Sequence, residues 1–427
     1  MAAGLRAAGK GERVRCRNRP PRPPVPFPLR FAGRRTEEVQ VLPTLRIAAA
    51  TLAASTSLAG TVAPVTSGPK PLRTMSEVSA ATSVAADMSL RQRVGQLFMV
   101  GTPATGASVA ALRAITRHHV GNVMLTGRSY RGVRATSQVS SALQQRATRK
   151  ATDRVHLFVA TDQEGGYVQV LHGPGFSEIP TALRQGRWRP ARLHDRAATW
   201  AHQLHRAGVN LNLAPVVDTV PSRAAAERNP PIGHYDREFG YTTRRVRHHG
   251  VAFVHGMAGG RVATSAKHFP GLGRVHANTD TASGVTDRVT TRHDPCLEPF
   301  AAAIDAGVPF VMMSTAYYKR LDPRRPAAFS SYVINTMLRG DLDFHGVVIS
   351  DDLGNAKQVS PWRPGQRAVK FIRAGGDMVL TVNPAVLPAM YDAVLRRAKA
   401  SRSFRAKVDH AVLRVLVAKQ RHHLLGR

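Results

Sequence analysis

Gly346-Val347-Val348-Ile349-Ser350-Asp351-Asp352 is a short β-branched apolar run that stops abruptly at two acids. Such a run, polar only at its end, reads as a strand covered on both faces. The same design recurs at residues 95–101, 121–127, 155–162, 209–218, 262–268, 308–314 and 376–382. That makes eight runs, each followed by a stretch able to form a helix. Alternating strand and helix predicts an α/β fold with a parallel sheet. Eight is also the number that closes a TIM-type (β/α)8 barrel, and roughly 330 residues suit such a single domain with insertions. A doubly wound open sheet is the competing arrangement. It calls for a glycine-rich phosphate turn after an early strand, and the sequence has none.

In a barrel, chemistry gathers where the strands end. The polar residues ending these runs are Asp162, Asp218, Lys267 with His268, Ser314, Asp351 with Asp352, and Asn383. One isolated Asp in such a place satisfies backbone groups as readily as it reacts. Several acids, a Lys and a His converging on one mouth suit acid/base or nucleophilic work on a polar ligand. Two segments stand out: Lys267-His268-Phe269-Pro270-Gly271-Leu272-Gly273, with a Pro/Gly loop after the strand, and Ile349-Ser350-Asp351-Asp352-Leu353-Gly354. Glycoside hydrolysis needs a carboxylate that attacks the anomeric carbon and a second group that protonates the leaving oxygen. An acid on one strand end and a polar loop from another can supply both.

The rest of the chain sets limits. Cys16 and Cys296 are the two cysteines, too few for a disulfide framework or a cysteine-based zinc site. The net charge of +34 is spread out. The first 73 residues carry thirteen Lys/Arg against three Glu, and the remainder is scattered as singles and pairs such as Arg324-Arg325. Nucleic-acid binders concentrate charge on one face beside aromatic or groove-reading elements. Aromatics are 6% of the chain, so no nucleic-acid partner is expected. Spread charge favours association with an anionic cell envelope through its long-range field.

Residues 1–44 are rich in Arg, Pro and Gly and predict a disordered head. Residues 45–87 hold Leu45-Arg46 and a short Ala/Ser/Thr-rich apolar stretch ending at Gly60, the pattern of a secretory signal followed by a linker. The stretch is too short to span a bilayer. Secretion is the expectation, with a cytoplasmic location if the signal-like segment goes unused. A signal starting so far in fits a translation start placed too far upstream. The catalytic barrel is expected over 88–427.

Three segments resemble the signatures of glycoside hydrolase family 3: Thr161-Asp162-Gln163-Glu164-Gly165-Gly166, Lys267-His268-Phe269-Pro270-Gly271 and Ser350-Asp351-Asp352. Further likeness comes from residues 94–101 and 213–218, from Arg237-Glu238-Phe239-Gly240, from Glu298-Pro299-Phe300 and from the closing stretch 408–416. In layout the chain is similar to the single-domain bacterial β-N-acetylhexosaminidases. The resemblance implies a retaining exo-glycosidase that releases terminal β-linked N-acetylglucosamine from peptidoglycan or chitin fragments. It implies Asp351 as nucleophile of a covalent glycosyl-enzyme, and Asp162, Arg237, Lys267 and His268 as substrate-binding groups. Neither metal nor cofactor is implied, and a monomer is expected.

The departures fall where they matter most. The hexosaminidases carry an Asp-Ser-His in the loop after Pro-Gly, and its Asp–His pair is their acid/base. This loop reads Arg274-Val275-His276-Ala277-Asn278-Thr279-Asp280, with Asn278 at the family Asp and Asp280 at the family His. Asp280 is one candidate acid/base, provided that burial or the Asp351 charge raises its pKa; His276 is the other. Tyr167 and Val170 stand where arginines are usual, and Ser314-Thr315 where a His is common. Two alternatives remain: a β-glucosidase-type member, whose acid/base often comes from a second α/β domain, and a carbohydrate-binding pseudoenzyme without a working proton donor.

Overall fold

The structure, a computed structural model, describes residues 75–426. The head and the signal-like stretch read from the sequence lie outside the described residues.

Eight parallel strands follow one another round a barrel: β1 (Phe98–Pro103), β2 (Asn122–Thr126), β3 (Phe158–Thr161), β4 (Leu211–Asn212), β5 (Ala263–Phe269), β6 (Phe310–Met313), β7 (Val347–Ser350) and β8 (Val379–Thr381). Each pairs with its neighbour in sequence, and β1 pairs with β8. The circle is completed by a parallel bridge between Ile349 and Met378, with Ser350 N–H donating to the Met378 carbonyl at 2.9 Å. All eight expected runs thus become strands, because each is apolar on both faces and finds a helix outside and packed side chains within.

β4 is far shorter than its run of ten residues. The regular ladder ends at Asn212; Pro215, with no N–H to give, still accepts from Lys267 N–H at 3.2 Å. Pairing resumes as a single bridge between Val216 and Lys267, with Val217 N–H donating to the Lys267 carbonyl at 2.9 Å. That detour carries Asp218 to a position beside the end of β5.

Helices cover the outside. Their starts are written in the sequence: Ser89 and Gln92 form a reciprocal cap on Leu90–Gln96, and Ser401 caps Arg402–Arg421. One expectation is corrected here. Residues 75–87, read as the end of a linker, form a helix that packs on the last one. Ala81 and Val84 are buried, and Arg421 forks onto Glu77 at 2.9–3.1 Å. The Ala/Ser composition hid an apolar stripe that is narrow but sufficient for a neighbour.

The lower end of the barrel is plugged by Lys419 from the last helix. Its Nζ donates to Gln96 Oε1 and to the carbonyls of Gly121 and His156, at 2.7, 2.8 and 2.8 Å. Those acceptors immediately precede β1, β2 and β3, so one buried side chain ties three strand entrances together.

Candidate active site

At the opposite end, the strand termini surround a cleft of about 460 Å³. Its apolar floor is Met124, Leu213, Met312 and Leu380, the uppermost layer of the barrel filling. Above that floor the lining turns polar.

Lys267 and His268 leave β5 on opposite errands. The Lys267 ammonium, almost wholly buried, donates to Asp162 at 2.7 Å and contacts Glu164 at 2.6 Å. Burial alone would lower its pKa, but the Asp162 and Glu164 charges outweigh that and raise it. The ring of His268 turns towards Asp218: Nδ1 pairs with Asp218 Oδ2 at 2.8 Å, and Oδ1 accepts from the backbone N–H groups of His268 and Leu272. Asp218 therefore stands behind the lining as a buried anchor that orients His268.

Glu164 links the floor to the far wall. Arg237 clasps its carboxylate in a fork, at 2.8 and 2.9 Å. Burial pushes Glu164 up, yet Arg237 and then Lys267 win and hold it down at about 2. Asp162, Lys267, Glu164 and Arg237 thus form one continuous chain of charges in which each buried ion has a partner. Two of the three Lys267 N–H groups are spent in that chain, as are three of the five of Arg237, counting its 2.8 Å bond to the Pro231 carbonyl. The remainder can meet a ligand.

Asp351 follows β7. Its Oδ1 accepts from Asp352 N–H at 2.8 Å, and the carboxylate lines the cleft. Asp352, although beside it, is engaged with backbone: its oxygens accept from Gly354, Asn355 and Val382 at 2.8–3.1 Å. Adjacent in sequence, the two acids have different tasks.

The loop after β5 brings Asp280 to the same cleft. Gly271 sits at φ +128°, which favours glycine, and a Cβ on Gly273 would collide with the Thr219 carbonyl. The Tyr318 hydroxyl donates to the Gly271 carbonyl at 2.8 Å and braces the turn. Farther on, Lys357 and Gln358 donate their N–H groups to the carbonyls of Asp280 and Thr279, both at 3.0 Å. These bonds stitch the Asp280 backbone to the loop that follows Asp351. Asn278 Oδ1 accepts from Asp280 N–H at 2.9 Å, so the residue at the family Asp has become a turn-former. The Asp280 carboxyl is pushed up to about 6, first by the protein packed round it and next by the Asp351 charge. The residue is nonetheless exposed to solvent, which screens both effects, and a sugar seated against it would strengthen them.

His276 is placed elsewhere. It is exposed, its Nδ1 lies 3.2 Å from the Arg228 carbonyl, and it is absent from the cleft lining. Ser314 and Thr315 are buried behind the lining, and Asn383 donates to Asn355 at 3.0 Å on the rim. Among the described residues no cluster of three His, Cys, Asp or Glu is arranged to hold a metal ion. Sequence reading missed Glu164 as a site residue, although it sits inside the quoted Asp162–Gly166 segment. The only signal was an acid placed directly before the Gly165-Gly166 pair, and its partner Arg237 lies 73 positions away.

Comparison with known proteins agrees with this layout. Residues 89–418 match the Glycosyl hydrolase family 3 N terminal domain. A β-hexosaminidase of Xylella fastidiosa is 32% identical over 309 residues, 70% of this chain and 88% of its own. Another from Vibrio cholerae is 34% identical over 64% of this chain and 78% of its own. Among solved structures, the β-N-acetylhexosaminidase of Beutenbergia cavernae is 54% identical, covers 78% of this chain and 99% of its own, and superposes with a TM-score of 0.78.

Proposed function

The chain belongs to glycoside hydrolase family 3, and from that premise we propose a retaining exo-hydrolase of terminal β-linked N-acetylglucosamine, with Asp351 as nucleophile and Asp280 as acid/base. The observation that carries this reading is the shared cleft of the two carboxyls, with Asp280 raised to about 6. A group of that pKa still holds its proton in mildly acidic solution, as an acid catalyst must.

In the first half-reaction Asp351 attacks the anomeric carbon while the Asp280 proton passes to the glycosidic oxygen, and the aglycone departs as an alcohol. In the second, the Asp280 carboxylate takes a proton from water, whose oxygen displaces Asp351 and frees the sugar. Asp162, Lys267, His268 and Arg237 hold the hydroxyls. Charge-assisted bonds of this kind are the strong ones, and the buried salt-bridge chain keeps their donors in place before substrate arrives. His276, bonded away from the cleft, has no part in this scheme.

Peptidoglycan or chitin fragments are the proposed source of the sugar, and export the proposed destination. The spread positive charge supports an encounter with an anionic envelope. Among the described residues no helix is long and apolar enough to cross a membrane.

The test is hydrolysis of nitrophenyl β-N-acetylglucosaminide and of the matching glucoside, beside an Asp351→Asn control. Turnover of the first, abolished in the control, supports the reading. A fluorinated activated N-acetylglucosaminide should leave its mass on the peptide bearing Asp351. Glucoside turnover alone would overturn the sugar assignment. Sugar binding without turnover of either would point to a non-catalytic protein.

A further inference from the structure

We propose that Tyr167 and Tyr235 form an aromatic corner at the mouth of the cleft that takes the apolar face of a second pyranose ring, the leaving sugar of a β-linked disaccharide. The inference rests on the hexosaminidase reading and names what stands next to the sugar that is cut.

Both rings line the cleft, yet they are 60% and 45% exposed, whereas Lys267 and Glu164 at its base are almost sealed. The cleft is therefore graded from charged groups within to bare aromatic faces at the rim. Large exposed aromatics side by side are unusual on a soluble protein and mark a place where something binds. The ring centroids lie 6.2 Å apart with planes at 68°, so one ring meets the other edge to face. That makes an L-shaped corner with two walls rather than a closed stack.

The backbone that carries the corner is held before any ligand arrives. Tyr167 tips the ribbon formed by Gln163–Gly165 and Val168–Gln169, and its carbonyl accepts from Arg128 Nη2 at 2.6 Å. Tyr235 ends the tight turn Gly233–Tyr235. The buried Glu164–Arg237 fork clamps ribbon to turn, three residues before one tyrosine and two after the other. A platform held this way loses little freedom on binding.

The chemistry of the occupant follows. A β-linked N-acetylglucosamine has its ring substituents equatorial, which leaves axial C–H groups on both faces. Those faces suit an aromatic wall, and an acyclic aglycone presents no such flat surface. An exo-enzyme holds its terminal sugar in the polar base, so the neighbour at the rim is the aglycone.

Binding is the cleaner test because it does not need turnover. In the Asp351→Asn protein, calorimetric titration with N-acetylglucosamine and with di-N-acetylchitobiose should show tighter binding of the disaccharide. Tyr167→Ala and Tyr235→Ala should each weaken the disaccharide by about tenfold and leave the monosaccharide within about twofold. The Phe variants should keep the affinity, since they keep the ring. Equal loss for both sugars, no loss for the disaccharide, or no preference for it at the outset would each overturn the proposal. Failure of the enzyme to cleave either nitrophenyl substrate would instead remove the hydrolase reading and leave this binding result standing.

Discussion

Asp280 and Asp351 come from loops after different strands, yet they line one cleft, and the charge on Asp351 helps keep the proton on Asp280. Protein packed round Asp280 is the larger influence and Asp351 the next, while His268 and Arg237 oppose them. The backbone bonds from Lys357 and Gln358 make this meeting a fixed feature of the fold.

A pH profile follows from that relationship. The acid form of Asp280 is needed to protonate the leaving oxygen, so kcat/KM should fall as pH rises through about 6. Asp280→Asn should lack that limb. The same shift acts on stability: a carboxyl raised in the folded chain contributes fully below about pH 4, and the contribution is lost as pH rises through about 6. Melting curves of wild type and Asp280→Asn, measured from pH 4 to 7, should therefore lie together near pH 4 and separate as pH rises, the wild type falling below the variant that carries no charge to penalise. A flat rate profile between pH 5 and 7.5 would remove Asp280 from the acid role.

Leaving-group dependence gives an independent reading of the same residue. General acid catalysis is worth about 10²–10⁴-fold when the departing oxygen is basic. Asp280→Asn should lose a factor in that range on di-N-acetylchitobiose and far less on a dinitrophenyl glycoside, whose oxygen leaves unaided. Added azide should then intercept the glycosyl-enzyme and give a β-glycosyl azide. If both substrates slow equally, Asp280 serves as a positioning group and not as the proton donor.

The barrel was legible because each strand is apolar on both faces and ends in a polar residue, a signal that is local in sequence. Asp162, Lys267, His268 and Asp351 were legible for the same reason, since strand ends point at one mouth. Glu164 and Lys419 were not. Each is defined by partners far away along the chain, such as Arg237 for Glu164 and Gln96, Gly121 and His156 for Lys419. Nothing within a few residues of Lys419 marks it, and beside Glu164 only the Gly165-Gly166 pair hints at a special place. His276 illustrates the opposite failing: it occupies the right loop, but the turn built on Asn278 presents Asp280 to the cleft and leaves His276 outside.

Glu164→Gln should damage the site through its wiring. Removing the charge strands the buried Arg237 and leaves Lys267 with Asp162 alone, and breaking such a buried pair costs about 3–5 kcal/mol. The depressed Glu164 pKa means that its stabilisation is present above about pH 4.3 and is lost as pH falls through about 2. Thermal melts at pH 7 should show the full deficit, and the gap from wild type should close on acidification. A variant as stable as wild type at pH 7 would show that the charge chain carries no net stability.

Lys419→Met tests the opposite end of the barrel, remote from the chemistry. Three acceptors converge on Nζ, which requires three N–H groups and hence the ammonium. Burial nonetheless lowers its pKa well below the ordinary lysine value, so the charge is held at a cost. Methionine relieves that cost but orphans two backbone carbonyls and the Gln96 amide oxygen, at about 1–3 kcal/mol each when they stay dry. The orphaned acceptors outweigh the relieved charge, and the expected net loss is about 2 kcal/mol at pH 7 in urea unfolding. Because the folded pKa is depressed, wild type binds fewer protons than its unfolded chain once pH passes that value, and it gains stability towards pH 10. The variant lacks this gain, so the deficit should widen in alkali, while activity on nitrophenyl N-acetylglucosaminide stays unchanged below the melting range. A variant more stable than wild type at neutral pH would show that the buried charge, not the strand entrances it ties, dominates at this position.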